Sequence, residues 1–223
     1  MRTTPCRLLR FFLFLVLCAG PVGTHNSAVA QSPKRASSPP YAGDLSIFDS
    51  AGRDERLHIN RVMDILGIGP GKGVADIGAG SGWFAVRAAR RVGPSGTVYA
   101  VDINPEAIRY IDRRMHSESL ANIKTVLSKP HDLMLPKEAV DAVLLLKTYH
   151  EVTDPIALLE HLRSALRPGA RLGIIDRNGN GTNHEVGLKI VVQEAVRAGY
   201  RLIQTYEFVK DDGMDYFLVF IIA

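Results

Sequence analysis

Apolar residues recur at Leu57, Val62, Ile65 and Leu66, a spacing that predicts an amphipathic helix over 54–66. Residues 67–73 are rich in glycine and read as a turn. A short apolar strand over 74–77 then runs into Gly78-Ala79-Gly80-Ser81-Gly82. Residues 83–92 read as a helix, closed by Gly93-Pro94-Ser95-Gly96. A second strand over 97–101 ends at Asp102, and Asn104-Pro105 opens a helix to about 115, with proline at a tolerated first-turn position. A third strand is predicted over 123–127. A fourth, over 139–146, is almost wholly apolar, as a strand covered on both faces should be. Asp154-Pro155 starts a helix to 166, ended by Arg167-Pro168-Gly169. A fifth strand over 172–175 and a helix over 186–198 follow. Two last strands, over 201–209 and 216–222, are joined by Lys210-Asp211-Asp212-Gly213.

Strands alternating with helices predict an α/β domain with a mostly parallel sheet. The last two strands have only a short polar turn between them, which suits an antiparallel hairpin. No internal repeat is visible.

The first thirty residues follow a different pattern. Arg2, Arg7 and Arg10 precede a nearly unbroken apolar run over 11–19, followed by Gly20, Pro21 and Gly23. Ala28-Val29-Ala30 supplies small residues for a cleavage site, leaving Gln31 as the new N-terminus. This is the order of a secretory signal peptide. The run is about half the roughly 20 residues that span a bilayer. Left uncleaved, the leader would act as a membrane anchor, with the domain still outside the cytoplasm. Leu17 before Cys18 is too large for a lipoprotein signal. Residues 31–40 have linker composition. The expected organisation is a signal peptide over 1–30, a linker over 31–40 and one folded domain over 41–223.

Charge and cysteine content then narrow the chemistry. The 223 residues carry a net charge of +4; without the first thirty and their three arginines, the remaining 193 carry +1. Nucleic-acid binding driven by bulk charge loses its support. Both cysteines, Cys6 and Cys18, lie in the leader. The rest has no disulfide framework, thiolate metal site or cysteine nucleophile. His131, His150, His161 and His184 show no ligand spacing such as His-Glu-x-x-His, so no metal is expected. Ser81 lacks the Gly-x-Ser-x-Gly setting of a hydrolase nucleophile.

The sharpest signal is 74–82, Val-Ala-Asp-Ile-Gly-Ala-Gly-Ser-Gly, a strand feeding a glycine turn that opens a helix. Glycines there permit a tight turn and close approach of the backbone to a ligand. The third glycine of a dinucleotide fingerprint would fall at Trp83, which disfavours a nicotinamide oxidoreductase. Asp102 ends the second strand, where a carboxylate can grip both hydroxyls of a ribose. Asp76 lies beside the loop; an acid there repels a pyrophosphate and suits a ligand with a free amino group.

These residues resemble the class I S-adenosylmethionine-dependent methyltransferases over about 54–223. Val98-Tyr99-Ala100-Val101-Asp102, Val140-Asp141-Ala142-Val143 and Leu166-Arg167-Pro168-Gly169 support the likeness. The resemblance implies a three-layer Rossmann-like fold with seven strands in the order 3-2-1-4-5-7-6, strand 7 antiparallel. It implies S-adenosylmethionine as cofactor, with Gly78, Ala79 and Gly80 along its methionine part. Asp76 would lie near the amino group, Asp102 on the ribose and Ile103 on the adenine. An acid common after the third strand is replaced by Lys129, and Asp132 is the candidate to stand in for it.

The fourth strand ends in Lys147-Thr148-Tyr149-His150-Glu151, a segment that should face the sulfonium methyl. Lys147 counts with the cofactor-binding residues. His150, as a proton acceptor or pocket wall, and Tyr149, as an apolar ring, are the candidate catalytic residues. The loop at 178–181 and His184-Glu185 could border the substrate. The expected activity is methyl transfer to a small-molecule acceptor; a non-catalytic module that binds S-adenosylmethionine or a nucleoside is the alternative. Export would leave a periplasmic or secreted enzyme outside the compartment that makes S-adenosylmethionine; either the cofactor is carried across, or the protein acts before export, or the leader is an anchor, or the ligand differs.

Overall fold

The strands β1 (Gly73–Ile77), β2 (Thr97–Asp102), β3 (Ile123–Leu127), β4 (Val140–Leu146), β5 (Leu166–Arg177), β6 (Tyr200–Tyr206) and β7 (Asp215–Ile222) form one sheet in the order 3-2-1-4-5-7-6. β1 to β5 pair in parallel, and β7 pairs antiparallel with both β5 and β6. Both the order and the antiparallel strand agree with the expectation. The computed structural model describes Met1 and residues 37–180, 184–210 and 212–223. The leader, its cleavage site and the linker as far as residue 36 lie outside the described residues.

The sheet is covered on both faces, which explains the near-continuous apolar runs of β1 and β4. On one face Val74, Ala142 and Leu144 pack with α2 (Ile59–Leu66), α3 (Trp83–Val92) and Ile111 of α4 (Pro105–Ser117). On the other, Ala75, Val143 and Leu145 pack with Leu159 of α5 (Pro155–Leu162) and Val191 of α6 (Leu188–Arg197). The period-2 alternation of a strand sends successive side chains into opposite cores.

The helix predicted over 54–66 is two helices, α1 (Arg53–Leu57) and α2, broken at His58 with φ 46°. Leu57 and Ile59 are both buried. Two residues apart on one continuous helix they would point nearly opposite ways, and the break turns both inward. The helix predicted to 166 ends at Leu162 and tightens into a 3₁₀ turn over Arg163–Ala165. Arg167-Pro168-Gly169 lies inside an extended β5 instead of ending the helix, and the β4–β5 register shifts between Val140 and Ala142.

The packed chain begins before Tyr41. Ser38 is buried, and its N–H donates to the carbonyl of His150 at 3.1 Å. Among the described residues, no helix is long and apolar enough to cross a membrane.

Candidate functional site

Strand order reverses between the parallel neighbours β1 and β4: β2 and β3 lie on one side of β1, β4 and β5 on the other. Crevices at such switch points, beyond the carboxyl ends of the strands, are where open α/β sheets bind ligands. A cavity of about 800 Å³ opens there, lined by Asp76, the glycine loop, Asp102, Ile103, the segment after β4 and the chain from Pro40 to Arg56. That volume is typical of a cofactor or small-ligand site.

The loop after β1 is held by backbone bonds. The N–H groups of Gly78 and Ala79 both donate to Val101 O, at 2.8 and 3.0 Å. Gly78 has φ 73°, and a Cβ there would collide with the side chain of Thr148. Glycine is required on both counts. Asp102 Oδ2 accepts the Gly80 N–H at 2.8 Å and Oδ1 accepts the Asn104 N–H at 2.8 Å. One carboxylate therefore joins the end of β2 to the loop after β1. Burial raises the Asp102 pKa, opposed by these backbone bonds.

Asp76 is buried and accepts the Ala85 N–H at 3.0 Å. Burial pushes its pKa up to about 7. Arg53 stands near it and lies over the Trp83 ring, 4.3 Å from the centroid, while Arg87 lies 4.0 Å from the same ring. Burial draws the Arg53 pKa down to about 10. Ile103 lines the cavity and is exposed, an apolar surface open to a ligand.

Two expected site residues point elsewhere. Tyr149 is fully buried in the opposite core, its hydroxyl donating to Glu194 Oε2 at 2.9 Å, and it does not line the cavity. The short 3₁₀ turn over Tyr149–Glu151 sends successive side chains in different directions, so His150 faces the cavity and Tyr149 does not. Asp132 is also outside the cavity walls. It closes a turn with Lys129, and its side chain accepts the Met134 N–H at 2.8 Å. The loop folds back through Ser128, Lys129, Pro130 and Leu133, without bringing the acid in.

Lys147 lines the cavity in a left-handed conformation, φ 57°. Its ammonium is 2.5 Å from Asp215 Oδ2, with Lys210 3.4 Å from the same oxygen. Burial lowers the Lys147 pKa.

His150 is 3% exposed. Its Nδ1 meets Asp176 Oδ1 at 2.8 Å, and its backbone N–H donates to Asp176 Oδ2 at 3.0 Å. Asp176, at the end of β5, accepts the ring Nδ1–H, which in the neutral ring leaves Nε2 as the nitrogen with the lone pair. Nε2 lies 3.3 Å from His184 Nδ1 and 3.8 Å from Glu151 Oε1. Burial raises the Glu151 pKa to about 7. His184 was expected at the border of the substrate cleft, and it lines the cavity.

The sequence pattern did not reveal the cover on this site. A 3₁₀ turn over Leu45–Asp49 follows Asp44, whose side chain accepts the Ser46 N–H. Phe48 lies against Gly80, with ring atoms 3.4–3.6 Å from where a Cβ would stand. Asp49 fastens the turn, accepting Ser81 Oγ–H at 2.9 Å, Tyr110 O–H at 3.1 Å and an Arg114 N–H at 2.6 Å. The one local sign was Asp44 before an apolar pair, a capping arrangement.

A Rossmann-like domain with a glycine cradle and a paired acid defines a binder of nucleoside-containing cofactors. Known proteins narrow this further. A family model described as "Methyltransferase domain" matches residues 74–169. A 2-phytyl-1,4-naphtoquinone methyltransferase of Trichormus variabilis is 33% identical over 138 residues, 61% of this chain and 60% of that protein. A ubiquinone/menaquinone biosynthesis C-methyltransferase of Hydrogenovibrio crunogenus is 29% identical over 122 residues, 54% of this chain and 48% of that one. The chain spans about half the length of the curated relatives it matches. The crystal structure of a SAM-dependent methyltransferase from Aquifex aeolicus superposes with a TM-score of 0.75 and 26% identity, covering 82% of this chain and all of that one. Residues 74–169 are thus similar to the methyltransferase-domain family, and the whole fold is similar to that of an S-adenosylmethionine-dependent methyltransferase. These likenesses support S-adenosylmethionine as the cofactor, and the glycine cradle with its two acids fits it.

Proposed function

We propose that this protein is an exported S-adenosylmethionine-dependent methyltransferase acting on a small acceptor with an apolar ring or chain. The observation that carries the reading is the Asp102 carboxylate bonded to the Gly80 N–H beside a buried Asp76, all on one cavity. S-Adenosylmethionine supplies a methyl group on a sulfonium centre. In this reading Asp102 accepts the ribose hydroxyls and Ile103 packs on the adenine. Gly78, Ala79 and Gly80 let the backbone pass close to the methionine part, and Asp76 faces its ammonium. Lys147, its charge held by Asp215, lines the same end. His150, oriented by Asp176, directs Nε2 into the cavity, where it aligns the acceptor or takes its proton.

Tyr41, Leu45, Phe48 and Leu158 give the remaining wall an apolar character suited to a ring. The names of the quinone methyltransferases among its relatives point the same way. A cavity of this size suits a small molecule. Titration calorimetry with S-adenosylmethionine and with NAD checks the cofactor: tight binding of the first alone is expected. Formation of S-adenosylhomocysteine with a supplied quinol checks the enzyme; binding without turnover on any acceptor would leave a sensor module.

The basic, apolar and small-residue order of the first thirty residues supports export, with cleavage after Ala30 and no stable membrane attachment of the mature protein. Mass spectrometry of protein from the native host is expected to start at Gln31 in an extracytoplasmic fraction. A full-length cytoplasmic protein would refute export.

A further inference from the structure

We propose that His150, Glu151 and His184 form a binding site for a divalent first-row transition metal on the wall of the cofactor cavity. The three ligand atoms lie within 4.8 Å of one another. His150 Nε2 and His184 Nδ1 are 3.3 Å apart, and Glu151 Oε1 is 3.8 Å from each. Donors around a tetrahedral metal with bonds of about 2.0–2.1 Å stand roughly 3.3–3.4 Å apart. The triangle therefore needs only a small contraction to close on an ion.

The chemistry of the donors agrees with the geometry. Two imidazoles and one carboxylate are a common donor set for zinc and non-haem iron. Asp176 takes the Nδ1–H of His150 at 2.8 Å, the carboxylate–histidine arrangement that fixes the tautomer and ring of a metal-binding imidazole. His150 Nε2 is thereby left as a lone pair, which a bound metal would take in place of an acceptor's proton. Among the described residues, Glu151 forms no ion pair with lysine or arginine; its ionic partners are the two histidines.

The frame is held from outside the cluster as well. Ser38 donates its N–H to His150 O at 3.1 Å and accepts the His184 N–H on Oγ at 3.1 Å. The same buried serine therefore sets the spacing of both histidines. All three donors line the cavity, so the coordination positions they leave open face the space assigned to the acceptor. An acceptor oxygen or sulfur is the class of ligand that would fill them.

Metal binding does not depend on the methyltransferase reading; only its use for holding the acceptor does. The test uses untagged mature protein, stripped with chelator and titrated with Co²⁺ and Zn²⁺. Wild type is expected to take up one equivalent, with visible Co²⁺ absorption of four- or five-coordinate character. His184→Ala and Glu151→Gln should each weaken binding by at least about 100-fold, and Asp176→Asn by about 10–100-fold. His184 is half exposed, so its variant should retain the wild-type melting temperature. A wild-type protein without stoichiometric metal would overturn the proposal, as would His184→Ala and Glu151→Gln variants with unchanged Co²⁺ spectra. S-Adenosylmethionine titration of the same samples separates the two readings. Cofactor binding without metal binding sinks the metal site alone, and metal binding without cofactor binding sinks the methyltransferase alone.

Discussion

Asp102 Oδ2 accepts the backbone N–H of Gly80 at 2.8 Å, a bond between residues 22 apart that ties the end of β2 to the loop after β1. The second oxygen holds the Asn104 N–H at 2.8 Å. The acid is thus fixed by the backbone before any ligand arrives, so little ordering remains to be done on binding.

Asp102→Ala should therefore weaken S-adenosylmethionine binding by about ten- to a hundredfold, since hydrogen bonds to a charged group contribute roughly 1.5–3 kcal/mol. Titration calorimetry on a folded variant measures this. Unchanged affinity would remove Asp102 from the site.

Cofactor affinity should rise with pH through about 7, where the buried Asp76 ionises. An ammonium beside Asp76 favours its charged form, so binding near neutral pH should release a proton. Calorimetry in buffers of different ionisation enthalpy reads that proton directly. Stability runs the other way. The folded pKa lies above the ordinary carboxylate value, so the stabilising effect of protonation is complete below about 4. It is lost as pH rises toward 7. Asp76→Asn should flatten both profiles; an unaltered pH dependence would assign the titration to another group.

Gly78→Ala should disable the loop. The position needs φ 73°, and the new methyl would meet Thr148. A loss of about 1–3 kcal/mol in stability is expected, with cofactor binding at least tenfold weaker. Adding Thr148→Ala should restore part of the loss, because it removes the collision and leaves the backbone strain. Thermal melts and binding titrations of the single and double variants check this order.

Asp49→Ala should loosen the cover. Ser81, Tyr110 and Arg114 would lose a shared acceptor, while the core under the sheet stays intact. Amide hydrogen exchange over 45–49 should accelerate by about tenfold or more, reflecting roughly 1–2 kcal/mol of local stability. Cofactor dissociation should also quicken. Exchange confined to wild-type rates would show that other contacts hold the turn.

The sequence by itself determined the periodic elements, the glycine loop and the acid at the end of β2. Each is a local pattern: apolar residues at period 2 or 3.6, glycine where left-handed backbone is needed, a carboxylate a fixed distance along the chain. The hairpin at the end of the chain was legible for the same reason, since a short polar turn leaves two strands little choice. What lay beyond reach were the side-chain contacts between residues far apart in the chain around His150. Ser38 meets His184 across 146 positions, and His150 meets His184 across 34. Spacing along the chain made the histidines look scattered, and folding brought two of them together with Glu151. Tyr149 and His150 were indistinguishable as neighbours on one segment. Only the 3₁₀ turn after β4 decided that one ring enters the core and the other faces the cavity, because side-chain direction there depends on how the turn packs against β5 and α6.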